Sequence, residues 1–337
     1  MDPKSALEKI AYLLERNGAE TYKVRAFRNA ASAVSELPTE QLAGMTPSKL
    51  QEIPGVGKTS AQVIVEASRG TIPAYLKNLE SFELPAMSEA GTALRRQLQG
   101  DCHSHSDWSD GGSPIREMAE TALALGHKYW ALTDHSPRLT VAHGLTKERL
   151  RQQLEVVEVL NAELSPFRIL TGIEVDILED GELDQEEEVL AQLDVVVASV
   201  HSKLRMDSAS MTKRMLRAVE NPNTDILGHC TGRLIVGRGR PESTFDAEAI
   251  FSACARTGTA VEINSRPERL DPPEDLLGLA LSLDCVMVID TDAHAPGQLE
   301  WQQYGCEQAA KVGVPVRQVM NALPMGDFLA WTSAHAA

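Results

Sequence analysis

Between residues 100 and 294 the chain repeats one pattern: a short unbroken apolar run, then a histidine or carboxylate, then a longer stretch, often amphipathic. The runs are "YWALTDHS", "FRILTGIEVDI", "LDVVVASVHS", "TDILGHCTG", "TAVEINS" and "CVMVIDTDAH", with a weaker one ahead of "CHSHSD". Amphipathic segments such as "SPIREMAETALALGH" and "DAEAIFSACARTG" lie between several of them. A strand with one wet face alternates apolar and polar residues. A strand that is apolar throughout must be covered on both faces, which in a strand–helix repeat means a parallel sheet under helices. Seven such strands fit a barrel better than an open sheet, so the expected class is α/β.

In a strand–helix barrel the C-terminal ends of all strands open onto one face, where active sites are built. The residues that follow the runs are His103, His105 and Asp110; Asp134 and His135; Glu174; His201; His229; Asp292 and His294. Residues two apart on a strand point the same way, so His103 with His105, and Asp292 with His294, can each face one site. Six of the nine histidines obey this rule. The other three, His127, His143 and His335, fall in helix or loop contexts and read as non-ligands. A single zinc needs three or four ligands; the set here can feed two or three divalent ions, with Glu174 suited to bridging. Clustered ions of this kind lower the pKa of bound water toward ~7 and neutralise phosphoryl oxygens, which suits hydrolysis of phosphate esters. "GHCTGRLIVGRGR" adds Arg233, Arg238 and Arg240, and "EINSRPERLD" adds Arg266 and Arg269. Arg233 and Arg266, closest to strand ends, are the expected phosphate binders, because the planar guanidinium matches phosphate oxygens. In "SDWSDGG" Asp110 is the ligand candidate, and Asp107 is expected to face solvent or cap a turn.

Residues 1–85 have a different texture. In "SALEKIAYLLERNG", Leu7, Ile10, Ala11 and Leu14 share a helix face and Gly18 is a stop. "KVRAFRNAASAVSEL" repeats the period with Val24, Phe27, Ala31 and Val34. Thr46 can cap a helix opened by Pro47, "PGVG" breaks the pattern, and a further helix runs from about Lys58 to Arg69. Residues 1–85 hold ten basic and ten acidic side chains, so the net charge of −16 belongs wholly to residues 86–337. That charge argues against a generally basic nucleic-acid binder. The run Glu179–Glu188 reads as a solvated loop and helix start. The expected organisation is an all-α domain over 1–84, a linker over 85–97 and the barrel over 98–337, with a short helix "LRRQLQ" where the linker meets the barrel. No apolar run reaches the ~20 residues of a membrane span. The five scattered cysteines, without C-x-x-C, read as reduced thiols, and a cytoplasmic location is expected.

The ordered motifs "DCHSHSDWSDG", "LTDHS", "GIEVDI", "VASVHS", "LGHCTGR", "VEINSRPERLD" and "DTDAH" resemble those of the PHP (polymerase and histidinol phosphatase) superfamily. The closest resemblance is to the PHP domain of bacterial family X DNA polymerases. It implies a distorted (β/α)7 TIM-like barrel with a three-metal site of Zn²⁺, Mn²⁺ or Fe. The implied ligands are His103, His105, Asp110, His135, Glu174, His201, His229, Asp292 and His294. Cys230 stands where relatives commonly carry proline, at a non-ligand position. "YKVRAFRNAASAV" and "IPGVGKTSAQVI" resemble the helix-hairpin-helix domain of the same polymerases. Gly55 and Gly57 would allow a tight hairpin whose backbone N–H groups hold a DNA phosphate without sequence specificity. Lys58, Lys23, Arg25 and Arg28 would add phosphate contacts.

Only the short linker stands where the palm and fingers of such polymerases lie, so no DNA synthesis is expected. Val63 occupies the position of their lyase lysine and Lys23 that of a second lysine of that pocket, so lyase activity is not expected either. The function implied is a metal-dependent phosphoesterase acting on DNA phosphodiesters, a 3′–5′ exonuclease or 3′-end-processing enzyme of DNA repair. Its expected catalytic residues are Arg233, Arg266 and His201. The alternatives are a small-molecule phosphomonoesterase of the histidinol-phosphatase kind, and a non-catalytic DNA-binding repair adaptor. The sequence names no protein partner.

Overall fold

Every one of the seven apolar runs forms a strand in the computed structural model, which describes residues 1–334; His335 lies outside the described residues. The strands are β1 (Gly100–Asp101), β2 (Tyr129–Leu132), β3 (Arg168–Asp176), β4 (Val195–Ser199), β5 (Ile226–Leu227), β6 (Ala260–Asn264) and β7 (Met287–Asp290). They are hydrogen-bonded in chain order and every pair is parallel. β4 shows the logic. Val195, Val196, Val197 and Ala198 are all buried, because alternate side chains fill the barrel and pack beneath the outer helices. Each buried valine contributes about 1.5–3 kcal/mol.

Between β1 and β7 there is no regular ladder. One parallel bridge, Ser104 with Ala293, lies beyond the strand ends. There His105 N donates to the Ala293 carbonyl at 2.8 Å and Asp292 N to the His103 carbonyl at 2.9 Å. Lower down, two side-chain amides replace the missing ladder. Gln302 Nε2 donates to the Gly100 and Ile289 carbonyls at 2.9 Å each, and Asn321 Nδ2 to the same two at 3.1 and 2.8 Å. The barrel is therefore nearly closed and distorted at this seam.

Outer helices include Ile115–Ala124, Lys147–Leu164, Ser208–Val219, Ala247–Thr257, Glu274–Ser282 and Gln302–Val312. Local chemistry sets their ends. Asp246 caps Ala247–Thr257 by accepting from Ala249 N at 3.0 Å, and Gly258, at φ 84, ends it. The acidic run leads into a single short helix, Glu187–Leu190.

Two compact units are distinguished: Met1–Ala86 with Ala295–Gln298, and the chain from Met87 to His294 with that from Leu299 onward. The short helix expected over "LRRQLQ" (94–99) lies further upstream. A helix, Glu89–Arg95, lies within the barrel unit, with Ser88 as its cap. Ser88 is anchored in turn by Glu307, whose carboxylate accepts from both its N and its Oγ at 2.9 Å. Only Gly91 and Leu94 of this helix are buried, too few positions to leave a visible period.

The first unit contains helices Pro3–Arg16, Thr21–Val34, Thr39–Ala43, Pro47–Leu50, Lys58–Ser68 and Ala74–Glu80. Leu7, Ile10, Ala11 and Leu14 of the first meet Phe27, Ala31 and Val34 of the second in a buried core that also takes Val63. Thr46 Oγ1 accepts from Lys49 N at 3.3 Å to cap the helix that Pro47 opens. The turn that follows needs glycine at position 55. Its φ is 92, and a Cβ there would stand 3.3 Å from the Asn29 carbonyl. Gly57 then begins Lys58–Ser68, its N–H donated to Ser60 Oγ at 2.9 Å. No helix among the described residues is long and apolar enough to cross a membrane. All five cysteines are buried free thiols.

Candidate metal centre

The β3 carboxylate Glu174 stands among five imidazoles at the C-terminal mouth of the barrel. His135 Nδ1 lies 2.8 Å from its carboxylate, His229 Nε2 3.0 Å, His201 Nε2 3.2 Å, His103 Nε2 3.4 Å and His105 Nε2 3.6 Å. Asp292 approaches His105 Nε2 at 3.4 Å. Asp110 lies 3.4 Å from the Nε2 of both His135 and His294. All nine residues proposed as ligands from the sequence meet here. They fall into four overlapping groups able to hold an ion: His105, Asp110, His135 and His294; His103, Glu174 and His229; His103, His105 and Asp292; His135, Glu174 and His201. His127 and His143 belong to none of these groups.

The backbone is bent to make this convergence. His229 has a φ of 20 and Asp292 a φ of 52, conformations that are rare for residues with side chains and concentrate at functional sites. Several donor atoms are left without hydrogen bonds although buried: both nitrogens of His105, His103 Nε2, His135 Nδ1, His201 Nδ1, His229 Nδ1 and Glu174 Oε2. An unmade hydrogen bond at a buried polar atom costs about 1–3 kcal/mol. Divalent ions would satisfy one nitrogen of each imidazole together with Glu174 Oε2, and an all-nitrogen-and-oxygen donor set suits zinc, manganese or iron. The residues present therefore fit a multi-metal centre.

Without ions the imidazoles divide by their surroundings. Burial works against charge on His103, but Glu262 and Glu174 outweigh it and hold the pKa well above the ordinary value. The same contest at His135, won by Glu174 and Asp110, pushes it up to about 10. His201 is raised likewise, burial being overcome by Glu174 and Asp176. His105 goes the other way: burial, with His294 and His135 alongside, pulls it down to about 3. Burial and the nearby Arg269 lower His229. Glu174, despite burial, is held well below the carboxylate range by His201, His103 and His135. Asp292 is held down, against burial, by Arg266 and His105.

A cavity of about 420 Å³ opens over the centre, lined by Asp110, His135, Glu174, His201, His229, Asp292, His294 and the arginines Arg266 and Arg269. Arg266 donates to the Asp292 carbonyl at 3.2 Å. Arg269 Nε stands 3.2 Å from Asp292, while its buried Nη1 makes no hydrogen bond. Arg233, expected at the phosphate, is placed otherwise. It does not line the cavity; its guanidinium donates to the carbonyls of Arg269 (2.9 Å) and Leu270 and pairs with Glu242. In the strand–loop geometry it braces the loop that carries Arg269. Asp107 is exposed. Asp134, which also follows a strand, is buried and saturated by Ser106, Ser109 and Gln153.

Sequence reasoning passed over Glu262. This fully buried β6 carboxylate accepts from His103 Nδ1 at 2.6 Å and from His229 N at 2.5 Å. The first contact fixes the proton on Nδ1 and turns His103 Nε2 toward the centre. The signal was available: an acid inside an apolar strand, two positions from Asn264. Glu262→Ala is expected to weaken metal affinity ~10–100-fold, and Glu262→Gln, which keeps an acceptor, to weaken it less. Competition with a chromophoric chelator measures both; an alanine variant that binds as tightly as the parent would contradict this role.

The residues proposed for DNA contact lie in the first unit. Lys23, Arg25, Gly55, Gly57 and Lys58 are exposed. Arg28 is largely consumed by an internal pair, its Nε and Nη2 donating to Glu15 at 2.9–3.1 Å. There it ties the first two helices together.

Comparison with known proteins matches residues 3–70 to a helix-hairpin-helix domain and residues 101–266 to a PHP domain. The DNA polymerase/3′-5′ exonuclease PolX of Bacillus subtilis is 43% identical over 231 residues, covering 68% of this chain. This chain spans 40% of that protein's length. A probable phosphatase of Thermoanaerobacter sp. is 32% identical over 170 residues, 49% of this chain and 64% of that protein. Among solved structures, a histidinol phosphate phosphatase of Lactococcus lactis, complexed with zinc, L-histidinol and phosphate, aligns at 21% identity with a TM-score of 0.47, over 64% of this chain and 94% of that one. With its ordered motifs, its seven-stranded barrel and both domain matches, the chain belongs to the PHP superfamily and, as in bacterial family X polymerases, carries a helix-hairpin-helix domain besides its PHP domain.

Proposed function

We propose that this protein is a metal-dependent phosphoesterase that hydrolyses DNA phosphodiesters, acting as a 3′–5′ exonuclease or 3′-end-processing enzyme. The observation that carries the reading is the set of four overlapping ligand groups sharing His103, His105, His135 and Glu174 under an arginine-lined cavity. His103, His105 and Asp292 would hold one ion, His135, Glu174 and His201 a second, and Asp110 with His294 would complete a third. When bound, such ions lower the pKa of coordinated water toward ~7 and offset charge on phosphoryl oxygens. Arg266 and Arg269 orient the phosphate, with the unengaged Nη1 of Arg269 as a ready donor. Glu262 keeps the His103 ring turned to the centre.

The helix-hairpin-helix domain supports a DNA substrate. Its exposed Lys23, Arg25 and Lys58 and the hairpin at Gly55–Gly57 suit contacts to phosphates without sequence reading. The rival reading, a small-molecule phosphomonoesterase, draws on the probable phosphatases among the relatives. Protein loaded with Mn²⁺ and offered labelled single-stranded and nicked DNA, beside a panel of nucleotide and sugar phosphates, separates the two. Cleavage of DNA from the 3′ end is expected, weakened by K23E/R25E/K58E. A fully metallated protein that leaves DNA intact but hydrolyses the monoesters would establish the rival.

A further inference from the structure

Beside the metal centre stands a small hairpin that the chemistry does not use. Leu234 and Arg240 pair as an antiparallel bridge, and Gly237 and Gly239, at φ 68 and 66, turn the tip between them. Ile235 N donates to the Glu268 carbonyl at 2.7 Å, which pins the hairpin to the loop bearing Arg266 and Arg269. Leu234, Val236 and Gly237 reach the cavity wall. Yet Ile235 and Val236 are 51% and 57% exposed. The loop after β4 runs alongside: the Leu204 carbonyl accepts from Ser243 Oγ at 2.9 Å, and the Leu204 side chain covers Gly232. This loop carries Lys203, at φ 54, and Arg205.

Cations stand at the same place. In a barrel region that bears the whole −16, Arg116, Arg217 and Arg256 are paired with carboxylates, while others, Lys128 and Arg151 among them, stay exposed without one. Among the described residues, Lys203, Arg205 and Arg238 are exposed and have no carboxylate within ion-pair distance. Unpaired cations next to exposed aliphatic side chains suit a chain that alternates phosphates with apolar base faces. A small phosphate ester has no flanking phosphate for the cations and no base for the ridge.

We propose that the hairpin 234–240 and the adjoining loop 203–205 form the element that selects a polynucleotide over a small phosphate ester, Lys203, Arg205 and Arg238 holding phosphates that flank the scissile one and Ile235 and Val236 contacting a base or sugar. The inference rests on the phosphodiesterase reading above and adds which residues confer polymer specificity.

The test compares kcat/KM for a labelled oligonucleotide with kcat/KM for bis(p-nitrophenyl) phosphate, in the whole Mn²⁺-loaded chain. I235D/V236D and K203E/R238E are each expected to lower the oligonucleotide-to-small-ester ratio about tenfold. K203E/R238E should also flatten the dependence of log KM on log salt by about 1.4, because two phosphates are no longer neutralised. Thermal melts check folding, and the exposed positions should tolerate change. Parallel losses on both substrates, or an unchanged ratio, would overturn the assignment while leaving the phosphodiesterase reading standing. Failure of the parent protein to cleave any oligonucleotide would overturn both.

Discussion

Glu174→Gln is expected to lose at least one bound ion and to lower the hydrolytic rate by about a thousandfold or more. The substitution keeps the side-chain shape, so the barrel should fold. What it removes is the one anion shared by the imidazoles of His103, His105, His135, His201 and His229, all within 3.6 Å. Two of the four ligand groups contain Glu174. An ion's stabilisation of transition-state charge is worth several kcal/mol, and about 4 kcal/mol corresponds to a factor of a thousand. Elemental analysis of metal per chain, beside single-turnover rates, gives the result directly. Parental metal content with a parental rate would remove Glu174 from the centre of the mechanism.

The second large effect is a reversal. Chelation is expected to invert the way thermal stability depends on pH. In the metal-free protein His135 has its pKa raised to about 10, with His103 and His201 raised beside it. A group whose folded pKa lies above its unfolded value, ~6.5 for histidine, lends stability that is complete below ~6.5 and drains away as pH climbs toward 10. Stripped protein should therefore melt at lower temperature as pH rises from 6.5 to 9. Metal ligation demands that the same imidazoles give up their protons, so binding strengthens with pH and releases protons. Loaded protein should accordingly gain stability from pH 6 to 8. Calorimetric melts with and without chelator, together with metal titrations in buffers of different ionisation enthalpy, test both halves. Parallel pH profiles and no proton release would show that these imidazoles are neutral in the stripped protein.

Much of this was written in the residues. Short unbroken apolar runs alternating with amphipathic segments read as covered strands, so β2 to β7 were readable from that alternation. The ligands were readable because metal donors recur directly after those runs. What stayed hidden depends on directions that spacing does not encode. Nearness to a strand end favours Arg233 over Arg269 in the sequence, and the structure reverses that order. The loops turn Arg233 onto backbone carbonyls and Arg269 into the cavity. Arg28 reads as a free cation until the packing of the first two helices brings Glu15 against it. Glu262 stands out in the sequence as an acid inside an apolar strand, but its contact with His103 appears only once the barrel brings β1 and β6 to one centre. The short helix expected over "LRRQLQ" lies instead at Glu89–Arg95, because its burial rests on a glycine and one leucine and leaves little period to place it.

The seam between β1 and β7 links the chemistry to the order in which the chain is made. Cys102 and Asp290, joined across it by a 2.7 Å hydrogen bond, are 188 positions apart. His103 and His105 emerge from synthesis early; Asp292 and His294 arrive only after the seventh strand, β7, is complete. Until then the nascent barrel has open edges and part of its donor set is missing. A partly made or truncated chain therefore cannot assemble the full set of donors, which comes together only once both ends of the barrel are in place.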